Sequence, residues 1–146
     1  MKIRVISFTM LACIALGLSS CHSAESAIDY KETSHYFVRN DVTDFSPRLI
    51  QSGEEFERYF GAAATMGPGG LPTSIDFNKQ NVIAIIEPQT NIDTDIKISS
   101  IKKQDGKIAV RYKAVKTGSP KSYSSVPCLL LRIDKKHGNN AEFIKE

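Results

Sequence analysis

Asp95-Ile96-Lys97-Ile98-Ser99, continued through Asp105-Gly106 to Lys107-Ile108-Ala109-Val110-Arg111-Tyr112-Lys113, is the stretch that decides the fold. Ile96 and Ile98 alternate with Lys97 and Ser99, and beyond Asp105-Gly106 the residues Ile108, Val110 and Tyr112 alternate with Ala109, Arg111 and Lys113. Successive side chains of a strand point to opposite faces, so each run has one apolar and one polar side. Asp-Gly between two such runs supplies the tight turn of a β-hairpin. The expectation is a hairpin with an apolar face for a core and a basic face carrying Lys97, Arg111 and Lys113. Lys102, Lys103 and Lys107 gather around its turn.

Outward from the hairpin, Asn81-Val82-Ile83-Ala84-Ile85-Ile86-Glu87 is apolar at every interior position and rich in β-branched residues. That pattern belongs to a central strand covered on both sides. Val126 to Lys135 reads as a second buried strand, with Pro127 at its start where a missing N–H is tolerated. His137-Gly138-Asn139-Asn140 reads as a turn into a last short strand at Ala141 to Ile144, hairpinned to the one before. Upstream, Ser52 and Glu55 form a capping box, Phe56, Tyr59 and Phe60 share one helix face, and Gly61 is the expected stop. Short strands are expected within His35 to Val42 and at Arg48 to Gln51, and a Gly/Pro loop from Ala62 to Ser74. One helix segregated from a run of antiparallel strands is an α+β domain: a short helix on a twisted sheet or partial barrel.

Of the 146 residues 41% are hydrophobic and 24% charged, which suits one globular domain. Lys and Arg number 19 against 16 acidic residues, a balance too even for nucleic-acid binding driven by bulk charge. The amino terminus reads as an address. Lys2 and Arg4 precede an apolar stretch from Val5 to Leu18, which suits a secretory signal and falls short of the ~18–20 residues of a spanning helix. It ends in Leu18-Ser19-Ser20-Cys21, which resembles the lipobox of bacterial lipoproteins. The resemblance implies cleavage after residue 20 and lipidation of Cys21. Two or three acyl chains hold a protein stably at a membrane, where one chain holds it only marginally. Residues 1–20 are therefore expected to be a lipoprotein signal peptide, 21–34 a polar tether and 35–146 a single α+β domain. The resemblance implies a location in the bacterial cell envelope, expected at the outer membrane on its periplasmic or surface face. Cys128, in the run Val126-Pro127-Cys128-Leu129-Leu130-Leu131, is then the one thiol left and reads as a small buried hydrophobe.

Motifs for chemistry are sparse. His22, His35 and His137 stand at no ligand spacing from one another or from a cysteine. No Gly-x-Ser-x-Gly, His-Glu-x-x-His or Cys-x-x-Cys occurs. Asn91, Asp93 and Asp95 imitate the opening of a calcium loop, but Ile96 holds the glycine position and Lys102 the place of the closing glutamate. No catalytic residue, cofactor or metal is expected. Charge placement says more. From Cys21 to Thr94 there are five basic and eleven acidic residues, and from Asp95 to His137 eleven basic and three acidic. The basic hairpin face is either a solvated surface that guards an edge against aggregation or a docking surface for an acidic partner. Lys97, Arg111, Lys113 and the loop residue Tyr123 are the candidate partner-binding residues.

Ser52-Gly53-Glu54-Glu55-Phe56, Ile75-Asp76-Phe77 leading into Asn81-Val82-Ile83, the hairpin, and Ser125-Val126-Pro127 give the chain a resemblance. They resemble small envelope lipoproteins of Bacteroidetes and, more distantly, the carboxy-terminal domain of a lipoprotein component of a surface protease complex. The glycine-glycine-aromatic signature of that domain is absent, with Ile92-Asp93-Thr94 near its place. The resemblance implies an accessory or binding role without catalysis and carries over no catalytic residue. The expected function is a lipid-anchored binding module with an envelope protein partner; the rival is an inhibitor of an envelope protease or lysozyme acting through its loops.

Overall fold

The computed structural model describes residues 25–146. The lipobox, the signal peptide and Cys21 lie outside the described residues.

Asn81 to Glu87 reads as a strand sealed on both sides, and so it is. It forms β6 (Gln80–Ile86), in which Val82, Ile83, Ala84 and Ile85 are each 0% exposed. Around it runs a four-stranded sheet in the order β2 (Lys31–Glu32), β9 (Cys128–Asp134), β6, β4 (Arg48–Ile50). One face of this sheet meets a second four-stranded sheet, ordered β1 (Ser26–Ala27), β7 (Asp93–Gln104), β8 (Lys107–Thr117), β10 (Ala141–Lys145). Ile83, Ile85, Leu131 and Ile133 pack there against Ile101, Ile108, Val110 and Tyr112. The opposite face, through Val82, Ala84, Ile86 and Leu130, is covered by the helix α1 (Gly53–Tyr59) and a ribbon of β3 (Tyr36–Val38) and β5 (Phe60–Ala62). The α+β class follows, as two stacked sheets rather than one sheet curled into a barrel.

The helix is short because its start and stop are both written locally. Ser52 Oγ accepts the Glu55 N–H at 3.2 Å, while Glu55 Oε2 accepts the Gln51 N–H at 3.2 Å, one residue earlier than the standard box. Phe56 is buried and stacks at 5.0 Å from both Tyr36 and Phe60, so the aromatic face is packing. Gly61 is not the stop expected of it. The helix ends at Tyr59, the backbone becomes extended at Phe60, and Gly61 lies within β5 opposite Phe37. A Cβ at Gly61 would stand 2.5 Å from Phe37 Cζ, so glycine is there to let a ring lie on the backbone.

The β7–β8 hairpin turns at Asp105 and Gly106, with φ of 50° and 77°. Both residues of such a turn need positive φ, which Asp-Gly tolerates. A bulge between Ile98 and Ser100 shifts the register, so that Ile98 faces Tyr112 while Ile101 faces Val110. The extra residue returns Ile101 to the core side.

Two further expectations fail. From Ser26 onward the supposed tether is sheet: Ser26–Ala27 pair with Lys103–Lys102, and Lys31–Glu32 pair with Arg132–Leu131. Ile28, buried between the sheets, and Thr33, whose N–H donates to Leu130 O, hold the crossing from one sheet to the other. The domain therefore begins well before residue 35. Second, β10 does not hairpin with β9. After a 3-10 turn at Lys135–His137 the chain changes sheet and β10 runs parallel to β8, Ala141 opposite Ile108 and Lys145 opposite Tyr112. Asn81, fully buried on β6, fixes that link, because its Nδ2 donates to Gly138 O and Asn139 Oδ1 at 3.2 Å each. Ala141 and Phe143 then pack against the core between the sheets.

Candidate functional site

The outer face of the hairpin is built by register. Lys97 stands directly opposite Lys113, and Arg111, two residues from Lys113, lies opposite Ser100. All three are exposed, and among the described residues none has an ion-pair partner. Like charges directly opposite each other destabilise a sheet, so this pair is held at a cost. Neighbouring cations are matched instead: Lys102 to Glu25 at 3.1 Å, Lys121 to Asp93 at 2.6 Å and Lys145 to Glu87 at 2.6 Å. Lys103 leaves this face altogether, donating from Nζ to His137 O at 3.0 Å.

The altered path of β10 also changes the face. Glu142 comes opposite Ala109, and Glu146 Oε2 accepts the Ser99 hydroxyl at 2.5 Å. Two carboxylates thus border the patch of Lys97, Arg111 and Lys113 from the β10 side, while Asp95 flanks Lys97 on β7. Tyr123 is not part of the patch. It lies in the loop after β8, 61% exposed, with Lys121 Nζ 5.3 Å from its ring centroid. Hydrogen bonding to Asp93 and then to Tyr123 raises the Lys121 pKa, so that ammonium stays charged as it joins the loop to the start of β7. Asn91, Asp93 and Asp95 lie in or just before extended β7, with Asp93 taken up by Lys121. Among the described residues no group of three or more His, Cys, Asp or Glu side chains is arranged to hold a metal ion.

Two further places gather polar groups. A cleft of about 300 Å³ is lined by Glu87, Thr90, Thr94, Lys116 and Lys145. Glu87 is only 8% exposed and its carboxylate is neutralised by Lys145, which pins the end of β10 to the residue after β6. Burial, and then the Glu87 charge, raise the pKa of the adjacent Tyr112 phenol, which stays protonated. The second place surrounds Cys128, a free thiol lining a groove with Gln89, Ser124 and Ser125. Burial pushes its pKa up to about 11. It is a thiol and not a thiolate near neutrality, which agrees with its reading as a small hydrophobe.

Comparison with protein families, with curated proteins and with solved structures gave no match. Among the described residues no helix is long and apolar enough to cross a membrane.

Proposed function

We propose that this protein is a lipid-anchored binding or accessory module of the bacterial cell envelope, fastened at Cys21 and without catalytic activity of its own. The observation that carries the reading is the exposed trio Lys97, Arg111 and Lys113, gathered on one rigid hairpin face and left without counter-ions among the described residues. A sheet gives such groups fixed spacing, and unpaired cations on a fixed surface attract an acidic partner. The envelope location rests on the Leu18-Ser19-Ser20-Cys21 motif and its apolar leader.

Two measurements test this. Crosslinking in the native bacterium, followed by mass spectrometry, is expected to recover an acidic envelope protein with the wild-type chain. Recovery should fall when Lys97, Arg111 and Lys113 are all replaced by Ser, and with rising salt. Equal recovery by the triple variant at low salt overturns the basic-face reading. Intact-mass analysis is expected to find acylation on Cys21; a bare thiol there overturns the anchor.

A second reading, inhibition of an envelope protease or lysozyme, is favoured by the loops. Met66 is 103% exposed and Leu71 77%, both projecting from the Gly/Pro segment after β5, and Tyr123 projects from the loop after β8. Large apolar side chains on exposed loops are the means by which small inhibitors fill enzyme pockets. This reading expects the full chain to slow such an enzyme at micromolar concentration, and to lose the effect in Leu71→Ser or Tyr123→Ser.

A further inference from the structure

The second sheet has an open side. β1 covers β7 only at Lys102 and Lys103, with one further bond in which Ile28 N–H donates to Ile101 O at 2.9 Å. From Asp93 to Ser100 no described strand lies along that edge. The direction of its backbone groups can be worked out from the neighbouring bonds. Tyr112 O accepts from Glu146 N–H at 2.8 Å, so the polar groups of Tyr112 face β10. Its opposite residue, Ile98, then makes no ladder bond to it and presents its own N–H and C=O to the open side. Ile96 and Thr94, in phase with Ile98 along the strand, do the same, since the bulge lies beyond Ile98. Three N–H and three C=O groups are thus aligned outward over a straight run, beside a groove of about 350 Å³ that continues to Pro127, Cys128 and Leu129.

We propose that two copies of this chain join edge to edge through β7, antiparallel about Ile96. The sequence of the edge is complementary to itself in that register. Ile96 meets Ile96 of the second copy, and Thr94 meets Ile98 in both directions. These are the residues whose backbone groups face outward, so all six groups bond. Between them Asp95 stands opposite Lys97 of the second copy, at a non-hydrogen-bonded position where Cα atoms approach to about 4.5 Å. Both side chains lie on the outer face. Lys97, flanked within its own chain by Lys113, thereby gains a carboxylate on its other side. The same charges select the register. A slip one way puts Asp95 opposite Asp95, and a slip the other way puts Lys97 opposite Lys97, so the neighbouring in-phase alignments are repelled. Such a twofold, self-complementary contact closes on itself and does not propagate into a fibre. The bulge after Ile98 bends the edge and ends the pairing there.

This inference does not depend on the envelope-binding reading, and its readouts are oligomeric state and amide protection along the edge. The full chain, solubilised in detergent, is expected to be dimeric by light scattering at micromolar concentration and to dissociate on dilution. Asp95→Lys and Lys97→Asp each turn two opposite-charge pairs into like-charge pairs, and each should weaken the dimer by roughly tenfold or more. The double variant Asp95→Lys/Lys97→Asp exchanges the charges and should restore the wild-type constant to within about threefold, although it leaves the surface composition unaltered. Amide exchange at Thr94, Ile96 and Ile98 should slow as concentration rises, while that at Asp95 and Lys97, already bonded to β8, stays constant. A chain that is monomeric throughout overturns the proposal. So does a dimer indifferent to the single reversals, or protection of Thr94, Ile96 and Ile98 that is independent of concentration, which would mean that another part of the same chain or an extended foreign peptide occupies the edge.

Discussion

β6 and β7 are neighbours in sequence and opposites in design. Every residue of β6 after Gln80 is buried, and the strand has a partner on each edge and a core on each face. β7 alternates exposed and half-buried residues along most of its length, buries one face only and has a partner on one edge for most of its run. β6 can therefore be nothing but structure, because nothing outside the fold reaches it. β7 has a face and an edge to spare, and on that face stand Asp95 and Lys97, without ion-pair partners among the described residues.

Substitutions should separate the two strands sharply. The largest effect is expected at Ile83→Ala, which opens a cavity between two closed layers and should lower stability by about 3–5 kcal/mol in urea unfolding. Ile96→Ala, on the half-buried edge of β7, should cost less than half as much, since one side of the residue already faces solvent. Asn81→Ala comes next. It strands the Gly138 carbonyl and frees the turn that sends β10 to the other sheet, a loss of about 1–3 kcal/mol by thermal unfolding.

A pH-dependent difference sharpens the picture further. The folded Cys128 thiol holds its proton up to about 11, against 9.0 for the ordinary group. Between those values the unfolded chain binds fewer protons than the folded one, so stability falls as pH rises through this window and is unaffected below it. Cys128→Ala should remove that component of the slope, measured as the change in urea midpoint from pH 8.5 to 10.5. Ser52→Ala, which removes the cap of α1, should cost about 1 kcal/mol. The smallest effect is expected at Lys113→Ser, within about 0.5 kcal/mol and stabilising in sign, because it relieves the repulsion with Lys97.

What could be read from sequence was what local chemistry decides. Asp105-Gly106 has to turn, an unbroken apolar run has to be buried, and Ser52 with Glu55 has to start a helix. The bulge leaves a local trace too, in the three-residue step from Ile98 to Ile101 that breaks an otherwise even alternation. Partners far along the chain were not legible. β10 is placed by Asn81, at a sequence distance of more than half a hundred residues, and nothing in Ala141 to Lys145 itself distinguishes a parallel neighbour from an antiparallel one. β1 and β2 escaped because each pairs over only two residues and the chain changes sheet between them, so no face persists long enough to leave a period. Of the candidate site, Lys97, Arg111 and Lys113 share a face as alternation requires. The carboxylates of Glu142 and Glu146 beside them arrive only through the tertiary path of β10.

The crossing of β1 and β2 between the sheets also bears on how the domain responds to tension. A pull along the chain from its amino-terminal side loads these two short pairings before it reaches β6 or β9. They detach one after the other, like stitches, and the segment from Glu25 to Thr33 releases on the order of 30 Å of slack. The remaining layers stay clasped meanwhile, so a stretched molecule lengthens before it unravels.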